Sequence, residues 1–519
     1  MIDVTEYLEV SSRIKSREDG SIKSAGASCN TFVVEDTVES IAEAMRWSML
    51  IHQRQGAPTL IMSNLRARGK AISTGGSSSG PCSFALVFDS IAQAMLRPGK
   101  KSGVVVLFLD ADHPDIDEWI SNSFKGQLNR AYTGVLFRPG KRYPKELLTK
   151  IAEAYNNWGV SYLCKTSIHN GEVLYPNVCT EIRQGHKGQC VLGAINLSKM
   201  SKLPFDQFVD VFRQSAIAMR DNLQISLDNH TERPDLFAYE QQVGLGFVGM
   251  ANLLGDLRVT YQSAVRWFNE NVNLQMLEGD VTFTEFMEDL LKTSGDRSAA
   301  GDFWYKFIGG VVAGTIAVGD SLDRLWTAQP TAHTSLRLGL DVEDTALENL
   351  LSSGYDCKGI STHKQAVEYI TNHNLPIVTR KIGVGCAPEL QPPYAVRLPG
   401  KRGSTVINQS QLTGSTEIQY SYKVQTRDEV PYETYYQFCC QIQLILNFTE
   451  KAHTLSHCTW SGQIDGDFVE RFLKGPLGSL YYRLDPTPST AMDKTSTWDD
   501  DGIDLSSLFT DTVCEVCSM

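Results

Sequence analysis

Asn177, Cys179 and Glu181 alternate along the run Pro176-Asn177-Val178-Cys179-Thr180-Glu181-Ile182. In an extended segment that period of two puts all three side chains on one face. An amide, a thiol and a carboxylate would then point into one cavity. There the thiol can serve as a radical carrier or nucleophile, the carboxylate as a base and the amide as a hydrogen-bond positioner. Eight residues after the glutamate, Gln189-Cys190-Val191-Leu192 brings a second thiol. The plain alternative is a buried structural thiol with a chance acidic neighbour, which describes most single cysteines.

The chain has 12 cysteines, among them Cys29, Cys179, Cys190, Cys514 and Cys517. No two Cys-x-x-Cys pairs occur together, and His457-Cys458 has no second ligand pair at zinc-finger spacing, so no structural metal site is expected. The one Cys-x-x-Cys, Cys514-Glu515-Val516-Cys517, lies close to the C-terminus. A pair there cannot build a core, but it can swing in and exchange disulfides with a buried pair. A net charge of -12 argues against a general nucleic-acid binder, whose surface needs a positive field. The longest apolar stretch, Phe307 to Gly319, is too short to span a bilayer. The first residues lack the basic start and apolar run of a secretory signal. A cytoplasmic protein without membrane or nucleic-acid partners is expected.

The elements that would position these residues read as an α/β architecture around a buried sheet. With 519 residues, 42% apolar and 21% charged, the chain can bury a large core. Residues 1–20 are polar and read as weakly structured. A strand is expected from Ser28 to Val34. Asp36-Thr37-Val38-Glu39 reads as a capping box with the acid at the cap, opening a helix whose apolar stripe is Val38, Ile41, Met45 and Met49. Val104 to Leu109 is a fully apolar run that suits a buried strand. Helical patterns follow at Lys145–Asn157, Pro204–Asn222 and Glu240–Leu257. Gly244-Leu245-Gly246-Phe247-Val248-Gly249 is formally Gly-x-Gly-x-x-Gly, but it follows the polar, helix-like Ala238–Gln242 and so lacks the context of a dinucleotide site. The pattern blurs from Gly339 to about Ser421, and residues 485–519 read as a mobile tail.

The Asn-x-Cys-x-Glu run resembles the active-site segment of ribonucleotide reductase large subunits. Ser28-Cys29, followed by Asp36 and by Glu39-Ser40-Ile41, resembles the segment with one reducing cysteine, and Cys190-Val191-Leu192-Gly193 resembles its partner. Tyr481-Tyr482 resembles the pair that relays an oxidising equivalent in class I enzymes. Alone, adjacent tyrosines would read as packing. Pro330-Thr331-Ala332-His333-Thr334-Ser335 resembles the substrate-phosphate loop, and Asp36 and Arg66 match positions that contact the specificity effector. Lys101 stands where that family has an arginine, which changes the stacking and bidentate bonding open to it. The Gly244–Gly249 run resembles a segment that packs glycines closely inside the barrel. The similarity covers most of residues 24–335 and 445–519 and is thin between about 340 and 440. Only 28 residues precede Cys29, so the N-terminal ATP-binding cone of larger relatives is expected to be absent, as in compact phage forms.

The resemblance implies a ten-stranded α/β barrel over residues 21–484, with effector-site helices near 36–70. It implies reduction of a ribonucleotide, a diphosphate as in most class I enzymes. Cys179 would carry a thiyl radical, Glu181 act as base and Asn177 hold the ribose. Cys29 and Cys190 would close to a disulfide, Tyr481 and Tyr482 relay the radical, and Cys514 and Cys517 regenerate the dithiol. Ser28, Thr331, Thr334 and Ser335 would bind substrate, and Asp36, Arg66 and Lys101 a dNTP or ATP effector. No cofactor is expected on this chain. A separate small subunit would hold the di-metal centre, thioredoxin or glutaredoxin would supply electrons, and the chain would form a homodimer. Two rivals stand beside this: a class II, adenosylcobalamin-dependent reductase that needs no second subunit, and a catalytically inactive nucleotide-binding relative.

Overall fold

In a computed structural model, the described residues are 2–10, 15–16, 22–24, 29–54, 56–96, 103–157, 159–228, 241–273, 285–286, 298–329, 331, 365, 377–378, 385–388, 395–400, 403–408, 425, 429–459 and 464–482. Ten strands close into a barrel. They are β1 (Cys29–Val33), β2 (Ala57–Ile61), β3 (Val105–Asp110), β4 (Ala131–Phe137), β5 (Tyr162–Lys165), β6 (Gln189–Asn196), β7 (Gln241–Val248), β8 (Trp326–Ala328), β9 (Ala452–Thr459) and β10 (Ser479–Tyr482). Strands β1 to β5 run parallel to one another, and so do β6 to β10. The two halves meet along two antiparallel seams. Cys190 of β6 faces Cys29 of β1 at one, and Tyr481 of β10 faces Tyr162 of β5 at the other. Each seam thus carries a pair of side chains able to do redox chemistry.

The strands are buried on both faces, as parallel strands under helices must be. β3, Val-Val-Leu-Phe-Leu-Asp, is buried throughout and divides its side chains by period two. Val105, Leu107 and Leu109 join the outer core under the helices, while Val106 and Phe108 join an inner cluster that also holds Cys29, Tyr162, Cys179, Cys190, Cys458 and Tyr481. Large outer-core side chains each contribute about 1.5–3 kcal/mol on burial. The helix Ala299–Val318 lies unusually close to its neighbours because Gly310 faces the Phe212 ring and Gly314 the Trp326 ring, at 2.7 and 2.6 Å from where a Cβ would sit.

Several expectations are corrected. Glu240–Leu257 is not one helix: residues 241–248 form β7, and a short helix spans Met250–Asp256. Val243, Leu245 and Phe247 pack outward in strand alternation. Gly244 makes room for Ile182 and Gly246 for Gln329, where a Cβ would come within 2.5 and 1.9 Å. These two glycines are interior to a strand rather than at its turn, so no dinucleotide loop forms. In the helix Val38–Gln53 the buried stripe is Ile41, Ala44, Trp47 and Ile51, while Val38 and Met49 are 78% and 47% exposed. The Trp47 ring, packed on Phe32, sets that phase. The N-cap is Thr37, whose hydroxyl accepts from the Ser40 N–H, because the Asp36 carboxylate is engaged elsewhere. Within the opening stretch, Leu8–Val10 is a strand paired antiparallel with β6. Between 340 and 421 the described residues include a small sheet of Ile377–Val378, Ala395–Gly400 and Gly403–Asn408. Among the described residues, no helix is long and apolar enough to cross a membrane.

Candidate active site

Glu172–Pro176 and Arg183–Gln184 pair antiparallel, so residues 177–182 form the tip of a hairpin. The expected extended face is therefore a tight turn. Thr180 N–H donates to the Asn177 carbonyl at 3.1 Å, and Asn177 N–H donates to the Ile182 carbonyl at 3.1 Å. The Asn177 side-chain oxygen accepts from Ile182 N–H at 3.1 Å. Thr180 adopts φ +68°, a left-handed conformation that β-branched residues rarely enter. The turn still brings the amide and the carboxyl together, and Cys179 joins the inner cluster that holds Cys29 and Cys190. Asn177 Nδ2 donates to Glu181 Oε1 at 3.1 Å and lies 3.8 Å from Cys190 Sγ. Asn177 and Glu181 are fully buried and Cys179 is 5% exposed.

Distant strands hold this turn. The Glu181 carbonyl accepts from Thr454 N–H at 3.0 Å and from the Thr327 hydroxyl at 3.1 Å. The Thr180 carbonyl accepts from Ser479 Oγ at 3.0 Å and from Arg183 Nη1 at 2.7 Å. Thr180 Oγ1 meets Ser456 Oγ at 3.1 Å. Thr327, Thr454, Ser456, Ser479 and Arg183 were not among the residues singled out in the sequence. Only their convergence in the barrel reveals them.

Cys29 and Cys190, both thiols here, are direct partners across the first seam. Residues so opposed in an antiparallel pair have Cα atoms about 4.5–5.5 Å apart, inside the range a disulfide spans without backbone movement. The Cys190 thiol donates to the Cys29 carbonyl at 3.9 Å. Burial, reinforced by Cys29 and Glu181, holds the Cys190 thiol well above its ordinary pKa. Burial and then the nearby Cys29 raise the Glu181 carboxyl from 4.5 to about 8, against the Asn177 hydrogen bond. Glu181 Oε2 is buried and has no hydrogen-bond partner among the described residues.

At the second seam Tyr481 is buried, its ring 5.3 Å from that of Tyr162 and its strand neighbour across β9 being Cys458. Tyr482 lies in β10 in register with Thr459. Asp36 and Arg66 come together: Asp36 accepts from Arg66 N–H at 3.1 Å and from Nε at 2.5 Å. Thr331 is buried, and its hydroxyl accepts from Gly385 N–H at 2.8 Å. Ser28, Lys101, Thr334, Ser335, Cys514 and Cys517 lie outside the described residues.

Residues 27–136 and 143–279 match the sequence pattern described as "Ribonucleotide reductase, barrel domain". A vitamin B12-dependent ribonucleoside-diphosphate reductase of Mycobacterium tuberculosis is 26% identical over 274 residues, 46% of this chain and 40% of that protein. One from Thermoplasma acidophilum is 25% identical over 275 residues, 46% of this chain and 36% of that protein. The chain thus spans well under two thirds of these curated relatives. A solved class Id ribonucleotide reductase alpha subunit from Actinobacillus ureae superposes with a TM-score of 0.52 at 15% identity, covering 92% of this chain and 88% of that one. That likeness speaks to the fold.

Proposed function

We propose that this chain, which belongs to the ribonucleotide reductase barrel family, is the catalytic subunit of a ribonucleoside-diphosphate reductase. The carrying observation is the direct opposition of Cys29 and Cys190 beneath the Asn177–Cys179–Glu181 turn. Replacing a 2′-hydroxyl by hydrogen takes two electrons and releases water. Two thiols that close to one disulfide balance that change. Cys179, as a thiyl, takes the 3′-hydrogen. Glu181 accepts the 3′-hydroxyl proton through its unpartnered oxygen, while Asn177 holds Glu181 and the ribose. Cys29 protonates the departing 2′-hydroxyl, Cys190 delivers its hydrogen to C2′ as the Cys29–Cys190 disulfide forms, Glu181 returns its proton to the 3′-oxygen, and hydrogen returns from Cys179 to C3′. Cys514 and Cys517 then reopen the disulfide and are reduced by a thioredoxin or glutaredoxin.

The radical reaches Cys179 through Tyr481 and Tyr482 from a separate metal-containing small subunit. The burial of Tyr481 in the same inner cluster as Cys179 supports this path. A second reading has a specific observation behind it: the curated relatives named above are vitamin B12-dependent. In that case adenosylcobalamin would supply the radical, and the tyrosines would be packing. Assay of the purified chain with a ribonucleoside diphosphate, a dithiol, and either a cognate small subunit or adenosylcobalamin separates the two. Turnover only with the small subunit supports the proposal. Turnover with adenosylcobalamin alone selects the second reading, and none with either defeats both.

A further inference from the structure

Arg183, directly after the Cys179 turn, carries a guanidinium that is almost wholly buried, the residue being 3% exposed. Its hydrogen bonds among the described residues go to main-chain carbonyls. Nη1 donates to Thr180 at 2.7 Å and more weakly to Ile182 at 3.4 Å, and Nη2 donates to Gly478 at 2.7 Å. Thr180 sits between Cys179 and Glu181, and Gly478 directly precedes the strand that carries Tyr481. One rigid, planar fork therefore bridges the turn with the reacting thiol and the strand with the buried phenol. The approach needs glycine at 478, since a Cβ there would lie 2.9 Å from Nη2. The Thr180 carbonyl is gripped a second time by Ser479 Oγ of the same strand. A threonine at φ +68° persists only where its surroundings over-determine it, and these bonds supply that restraint.

Stability alone gives little reason for such an arginine. Burying a cation costs several kcal/mol, and an apolar side chain of similar volume is often neutral or better. Burial lowers the Arg183 pKa to about 10, in line with that cost. We propose that Arg183 is a positioning residue that locks the Cys179–Glu181 turn onto the strand carrying Tyr481, fixing where the thiol sits relative to the phenol and the substrate. The role deepens the reading in which Cys179 is the reacting thiol, and it rests on that reading.

Arg183→Met keeps most of the stem and removes the fork, and Ser479→Ala removes one hydroxyl with little risk to folding. Two quantities are measured in each. Steady-state kinetics of wild type and variants should show kcat about 100-fold lower in Arg183→Met, and about tenfold lower in Ser479→Ala, with KM within about threefold, since small misplacement of reacting groups costs that much. Arg183→Lys should recover part of kcat. Peptide-level mass spectrometry should show Cys179 alkylated by iodoacetamide at least about tenfold faster in Arg183→Met, because the turn opens more often. A kcat unchanged in both variants, or a rise in KM alone, overturns the positioning role. Unchanged Cys179 alkylation in both variants overturns the lock whatever the activity. If wild type reduces no ribonucleotide with either radical source, the functional reading falls, while the alkylation ratio still decides the lock.

Discussion

Replacing Glu181 with Gln should make the protein more stable relative to wild type as pH rises. The carboxyl is fully buried, accepts one hydrogen bond from Asn177 and titrates near 8 rather than 4.5, chiefly through burial. Below pH 4.5 it is protonated both folded and unfolded, and contributes no pH dependence. Between 4.5 and about 8 the folded state binds the proton that the unfolded state has released, so stability falls with rising pH. At pH 7 this amounts to about 3 kcal/mol, and above pH 9 to about 5 kcal/mol. Glutamine keeps an oxygen for Asn177 but cannot titrate. Its amide, placed where Oε2 has no described partner, adds a constant cost of about 1–3 kcal/mol. The diagnostic is therefore the slope: from urea unfolding, wild type should lose about 4 kcal/mol relative to Glu181→Gln between pH 5 and pH 8.5. Parallel stability curves over that interval would refute the displaced carboxyl, and with it the tuning of Glu181 as a proton carrier.

Cys179→Ser should abolish nucleotide reduction and leave ribonucleotide affinity, read by equilibrium dialysis, within about threefold, because an oxygen radical is far harder to generate while side-chain volume barely changes. Cys514→Ser with Cys517→Ser should confine a thioredoxin-driven reaction to about one reduction per site, with steady turnover restored by a small dithiol that reaches the buried disulfide itself. Thioredoxin-driven turnover that survives in the double variant would exclude the tail as shuttle. Tyr481→Phe and Tyr482→Phe should each silence turnover driven by a small subunit at a structural cost of about 1 kcal/mol, up to about 3 if a buried partner is left unsatisfied, and adenosylcobalamin should restore nothing. Full activity in both would leave the pair as core packing.

The candidate site was legible in the sequence where it is local. Asn177, Cys179 and Glu181 lie within five residues, and their resemblance to a known segment carried the expectation of a barrel. Their geometry was not legible. The left-handed turn at Thr180 is held by Ser456 and Ser479, which lie 276 and 299 residues away in the chain. No local pattern announces such partners. β7 was misread because a strand lining a crowded interior replaces alternating apolar residues with glycines and a glutamine, which blurs the period of two. The first helix was mis-phased because methionine and valine counted equally with tryptophan, although Trp47 alone has a ring large enough to fill the groove against Phe32. Asp36 suits an N-cap by type, but its ion pair with Arg66 outcompetes that role and leaves it to Thr37.

The dithiol mechanism is tested most directly by a single-turnover reaction of the reduced Cys514→Ser/Cys517→Ser protein, in which the tail cannot reopen the internal disulfide, with its radical source and one ribonucleoside diphosphate, quenched and mapped for disulfides. One 2′-deoxynucleotide should form per Cys29–Cys190 disulfide, and neither product in Cys29→Ser or Cys190→Ser. Deoxynucleotide formed while Cys29 and Cys190 both stay reduced would contradict it.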